Sequence, residues 1–180
     1  MFVQTEETPN PNSLKFLPGK KVSNSGPYEI TNKDDIQNEL VKNILLINGV
    51  VGIFLGQDFI SVNKNDNFKW EDIKHIVISL INDFYADGKE FVIDENLKDD
   101  DYDLNEIEEK IVKILEQKIR PAVARDGGDI KFKEFKNGIV KVQLQGSCSG
   151  CPSSTMTLKQ GVQNLLCHYL PEVKEVVAIQ

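Results

Sequence analysis

Residues 94–103 read Asp-Glu-Asn-Leu-Lys-Asp-Asp-Asp-Tyr-Asp, and this stretch limits the architecture more than any other. Its like charges repel and almost nothing in it is apolar, so it cannot join a packed core and is expected to be a solvated linker. The chain of 180 residues is then two small units, 1–95 and 105–180, with the acidic linker at 96–104. The charge divides at the same place. Residues 1–103 carry 10 basic and 19 acidic side chains, and residues 104–180 carry 11 and 9, so the acidity sits in the first unit. The net charge of −7 argues against general nucleic-acid binding, which needs a basic surface to neutralise phosphates. No run reaches the ~20 apolar residues of a membrane span. The N-terminus has neither the basic and apolar regions of a secretory signal nor the Arg- and Ser-rich character of a transit peptide. The expectation is a cytoplasmic protein, or a matrix protein if this is a processed mitochondrial form.

Each half shows alternating helical and strand periodicity. In the first, Thr8-Pro9-Asn10-Pro11-Asn12 leads into a strand at Ser13–Leu17, and Tyr28–Ile30 is a second short strand. A helix is expected over 34–47, capped by Thr31, with Ile36, Leu40, Ile44 and Ile47 on one face. Val50–Leu55 and Phe59–Val62 form a hairpin, and 69–86 is a second helix. Phe91–Ile93 is a last strand. In the second half Ile107, Ile111, Ile114, Leu115 and Ile119 make one helical stripe, begun at Asn105 or Asp103 and bent or ended by Pro121. Asp126-Gly127-Gly128-Asp129 reads as a turn in which the glycines take positive φ. Strands follow at Ile130–Phe135 and Ile139–Leu144 around Asn137-Gly138. A helical stripe from Leu158 to Tyr169 and a strand at Val173–Ile179 close the order α-β-β-α-β. The fold class is α+β: two small α/β-sandwich-like domains joined by the linker.

The chemistry concentrates in Gly146-Ser147-Cys148-Ser149-Gly150-Cys151-Pro152. Cysteines three apart in a loop can turn both sulfurs toward one point, and Gly150 permits a positive φ between them. Pro152 suits the first position of a helix, where its missing N–H costs nothing, and this places Cys151 at the helix N-terminus. The partial positive charge there favours thiolate, and Ser153, Ser154 and Thr155 are candidate donors to an anionic ligand. Three cysteines make no disulfide framework, and in a reducing compartment a close pair is more often metal-binding or redox-active. Zinc and four-iron clusters both take about four ligands. Cys167 lies 16 residues beyond Cys151 in sequence, about 24 Å along a continuous helix at ~1.5 Å per residue. His168 is as remote, so four thiolates require a symmetric dimer in which each chain gives Cys148 and Cys151.

Other candidates have plainer readings. Cys167 is a core or flank cysteine of the last helix, His75 a surface or half-buried histidine, and Trp70 an anchor of the core or of an interface. Thr8–Asn12 is either a partner contact or the ordered entry to the first strand. No nucleophile–base constellation, HExxH, P-loop or GxGxxG occurs, so the chain does not read as an enzyme. The competing reading is a CxxC dithiol oxidoreductase, with a zinc-bridged dimer behind it.

Asp126–Ile130, Val142–Val162 and Pro171–Val176 resemble the C-terminal domain of NifU and its Nfu relatives, across residues 105–180. Thr8–Gly19 resembles the N-terminal domain of Nfu proteins. The resemblance implies a [4Fe–4S] cluster shared by two chains through Cys148 and Cys151, and its transfer to apo iron–sulfur proteins late in cluster assembly. It also implies that the N-terminal domain recognises clients or upstream assembly proteins. No family role carries over to Cys167.

Overall fold

The computed structural model describes residues 2–32, 38–90, 92–93 and 103–179. The expected linker at 96–104 therefore lies almost wholly outside the described residues.

The first unit is a five-stranded sheet in the order β1-β2-β5-β4-β3. Its strands are β1 (Gln4–Glu7), β2 (Ser13–Leu17), β3 (Tyr28–Ile30), β4 (Val50–Leu55) and β5 (Ile60–Lys64), and all neighbours are antiparallel. The sequence reading had no strand at β1. Its residues Gln4, Thr5, Glu6 and Glu7 are polar and largely exposed, as an edge strand tolerates. Helices α1 (Glu39–Leu45) and α2 (Trp70–Ala86) pack on each other and over the sheet. Asn38, rather than Thr31, caps α1: its backbone is extended and its side-chain oxygen accepts the Val41 N–H at 3.2 Å. Residues 33–37, where the longer helix was expected to begin, are outside the described region. So is Phe91, and Ile93 makes a single parallel bridge to Ser23 in place of a full strand.

Period-two alternation sorts this sheet into two faces. Leu14, Phe16, Tyr28, Ile30, Ile53, Leu55, Ile60 and Val62 meet the helices in one apolar core. Lys15, Glu29, Phe54, Ser61 and Asn63 occupy the intervening positions. The strand register sets four of them side by side: Lys15 opposite Ser61, Ser61 opposite Phe54, and Phe54 opposite Glu29. Phe54 is fully buried yet belongs to neither apolar core. What covers this row is the second unit.

That unit opens with α3 (Glu106–Ile114), started by a reciprocal capping box between Asn105 and Glu108. Pro121 does not end the helix. The chain widens into a π-helical turn over Leu115–Ile119, in which the Arg120 N–H reaches the Leu115 carbonyl, and restarts as α4 (Arg120–Arg125). Pro121 thus falls in the first turn of α4, where a missing N–H is tolerated. Strands β6 (Gly128–Lys136) and β7 (Ile139–Gly146) form a hairpin whose two-residue turn, Asn137 at φ 54° and Gly138 at φ 81°, has the positive angles of a type I′ turn. After the cysteine loop, α5 (Pro152–Tyr169) crosses back so that β8 (Glu175–Ile179) lies parallel to β7. On β7, Val140, Val142 and Leu144 face inward onto Ile111, Leu115, Val162 and Leu166, which gives the one-sided sheet the alternation predicts.

Candidate functional site

The cysteine loop joins the end of β7 to α5. Gly146 and Gly150 take positive φ values of 67° and 78°, so the backbone reverses twice within five residues. Cys151 has extended backbone angles at the N-cap of α5, and Pro152 begins the helix. The loop is pinned from its own domain. The Ser147 N–H donates to the Gly127 carbonyl at 3.2 Å, and the Ser147 hydroxyl donates to the Asp126 carbonyl. Thr155 donates to the Cys148 carbonyl at 3.1 Å. Thr155 is therefore committed to main chain rather than directed at a ligand. The Ser153 hydroxyl lies 3.3 Å from the Cys151 sulfur, and the Ser154 side chain falls outside what is described.

The two cysteines occupy different environments. Both line a cleft of about 670 Å³ together with Glu29, Met156 and Lys159. Cys151 is partly exposed, whereas Cys148 is only 6% exposed and also borders a second, more apolar cleft of about 710 Å³ beside Pro9, Val123 and Leu158. Burial pushes the Cys148 thiol up to about 11, against the lowering contact from Ser147 and with a smaller rise from the negative charges of Asp126 and Asp129. Burial thus disfavours the Cys148 thiolate, while Cys151, the residue expected beside the helix N-terminus, is the N-cap of α5.

The Asp-Gly-Gly-Asp segment explains why the loop sits so close. Only Gly127 turns with a positive φ, of 82°. Gly128 is already strand, and a Cβ there would lie 2.5 Å from the Gln145 carbonyl oxygen and 2.7 Å from the Cys148 sulfur. The expectation that both glycines serve the turn is corrected: the second is small because a sulfur and a backbone oxygen press against it. Asp129 is buried and takes a two-pronged contact from Arg120, at 2.9 and 3.0 Å. This pair ties the π-helical turn to the strand beneath the loop.

The first unit contributes residues that the sequence reading did not assign to the site. The buried Asn10 side chain donates to the Ser147 and Ser149 carbonyls at 3.1 and 3.3 Å. Asn63 donates to the Gly146 carbonyl at 3.2 Å. The Glu29 carboxylate accepts the Gly146 N–H at 2.9 Å and lies 3.4 Å from the Ser149 hydroxyl. Burial raises the Glu29 pKa, against the lowering effect of those two donors and of Lys131. Lys15 donates to the Arg125 carbonyl at 3.3 Å. The Thr8–Asn12 segment is thus both the β1–β2 connection and a contact, made to this chain's own cysteine loop. The one hint in the sequence was polar residues at alternate positions of otherwise apolar strands.

The remaining candidates lie elsewhere. Cys167 is on α5, partly buried against the second core. His168 is exposed and stacks edge-on with Tyr169. His75 is exposed, 3.0 Å from the Glu71 carbonyl. Trp70 anchors the start of α2 by donating to the Pro11 carbonyl at 3.0 Å. Among the described residues no three His, Cys, Asp or Glu side chains are grouped to hold a metal ion, and no helix is long and apolar enough to cross a membrane.

Comparison with known proteins bears on both halves. The family model described as "Scaffold protein Nfu/NifU N terminal" matches residues 3–88, and the "NifU-like domain" model matches residues 111–177. "NifU-like protein 5, mitochondrial" of Arabidopsis thaliana is 42% identical over 98% of this chain and 67% of its own length. "NFU1 iron-sulfur cluster scaffold homolog, mitochondrial" of Drosophila erecta is 44% identical over 98% of this chain, which spans 64% of that protein. The solution structure of a NifU-like protein from Saccharomyces cerevisiae is 32% identical, covering 53% of this chain and 86% of its own, with a TM-score of 0.48. With a match in each half and relatives aligned along almost its whole length, this chain belongs to the Nfu family of NifU-like proteins.

Proposed function

We propose that the chain is an iron–sulfur cluster scaffold and carrier that holds a [4Fe–4S] cluster between two copies of itself and passes it to apo iron–sulfur proteins. One observation carries the reading: Cys148 and Cys151 line one cleft, and no further ligand is grouped with them among the described residues. Two thiols per chain are half of what a four-iron cluster takes, so a twofold pair of chains completes the set. Cluster release is then ligand exchange. Each iron–thiolate bond that breaks here is replaced by one to a recipient cysteine, with no net oxidation or reduction, so the protein acts as a carrier rather than a catalyst. The unit over 1–95 would recognise clients or upstream assembly proteins. Either the cytoplasm or the mitochondrial compartment named for the relatives supplies the reducing conditions thiolate ligands need.

The test is anaerobic reconstitution with iron and sulfide, read by iron content, absorption and mass in solution. The expected product is a brown dimer with about four irons, absorbing near ~400 nm. Cys148→Ser and Cys151→Ser each remove the cluster and the cluster-dependent dimer, while Cys167→Ser keeps both. A loaded single chain, or rapid disulfide exchange with no iron uptake, would overturn the proposal, the latter in favour of a dithiol oxidoreductase.

A further inference from the structure

The polar row on the first sheet is a recognition surface, and its ligand is the main chain of the cysteine loop. Its contacts are to backbone groups: Asn63 and Glu29 take the carbonyl and N–H of Gly146, and Asn10 takes the carbonyls of Ser147 and Ser149. These partners are 83 to 139 residues apart in sequence, so only docking of one unit on the other creates them. Phe54 is buried at the same place, its ring 2.9 Å from where a Gly146 Cβ would stand. The docked loop holds Cys148 inward against Gly128, with Pro9 beside one adjoining cleft and Glu29 and Thr31 beside the other. While Gly146, Ser147 and Ser149 are held in this way, Cys148 is only 6% exposed.

We propose that Asn10, Glu29 and Asn63 form a clamp that keeps the cysteine loop in a closed form, so that cluster loading requires the first unit to release the loop. This rests on Cys148 being a ligand, but the clamp itself is testable without a cluster. The sheet-face partners Ser61 Oγ and Asn63 Oδ1 are buried without a hydrogen-bond partner among the described residues. Opening returns both to water, so the closed form is incompletely satisfied and suited to release.

The experiment is iodoacetamide alkylation of the metal-free full chain, with each cysteine followed by peptide mass spectrometry. In the wild type Cys148 is alkylated more slowly than Cys151. Asn63→Ala and Glu29→Ala each accelerate Cys148 by about tenfold and leave Cys167, at the far end of α5, unchanged. Glu29→Gln, which keeps an acceptor for the Gly146 N–H, stays slow. The clamp is refuted if wild-type Cys148 reacts as fast as Cys151, if both alanine variants leave it slow, or if Glu29→Gln is as fast as Glu29→Ala. Cluster uptake supplies a second readout. The alanine variants load iron faster than wild type to the same final content, and failure to load any iron would instead count against the carrier reading.

Discussion

Removing Arg120 destabilises the protein more than removing its partner Asp129. The pair is asymmetric: the Asp129 side chain is 5% exposed, whereas Arg120 is 34% exposed and has a second carboxylate, Glu116, at 3.8 Å. Arg120→Ala leaves a carboxylate buried without its two donors, which falls in the range of about 3–5 kcal/mol for a broken buried pair. Asp129→Ala leaves a guanidinium with solvent access, so solvent screening reduces the loss to about 1–3 kcal/mol. The double variant costs less than the sum, because both penalties come from one missing partner. Urea unfolding of the full chain, followed by circular dichroism, measures all three. The reasoning fails if Asp129→Ala costs as much as Arg120→Ala, or if the two effects simply add. A site-level consequence accompanies this. Burial is the main cause of the raised Cys148 pKa and Asp129 the smallest, so Asp129→Ala should leave that thiol's pH profile for alkylation raised.

Gly128→Ala drives a methyl into the Gln145 carbonyl oxygen, and since that backbone atom cannot yield cheaply, a loss of about 1–3 kcal/mol is expected by urea unfolding; wild-type stability would show that the strand shifts freely. Leu166→Ala, at a fully buried position of α5, costs about 2–5 kcal/mol by the same measurement. The raised Cys148 pKa makes stability fall in base. The folded thiol keeps its proton from its ordinary value near 9.0 up to about 11, while the unfolded one loses it, so stability present below pH 9 declines by about 2–3 kcal/mol through pH 11. Cys148→Ala should reduce that decline, leaving the further one from Tyr85, which burial pushes to about 12.

Much of the local structure was readable in the chain because it is local. Pro152 at the first turn of α5, Cys151 as its N-cap, the Asn137-Gly138 turn and the alternation of β7 all follow from the conformational limits of single residues or from period-two burial. Where the reading failed, a distant partner decided. Pro121, read as bending or ending the helix, does not end it, because the π-helical turn shifts the register one residue before it. Gly128 is small because Cys148, twenty residues on, packs against it. Cys148 was expected to share one exposed loop with Cys151, and tertiary burial instead pushes its pKa up.

Sequence alone determined that two thiols stand three positions apart with Pro152 directly after them, which is a covalent fact of the chain. Tertiary structure alone decided that Cys148 is buried and Cys151 partly exposed. Asn10, Glu29 and Asn63 were not assigned to the site from sequence, and they reach the loop only because two separately cored units dock sheet face to loop. The physical reason is range. Backbone preference and side-chain period act over a few residues, whereas desolvation and hydrogen bonding to main chain depend on whatever the fold brings within about 3 Å.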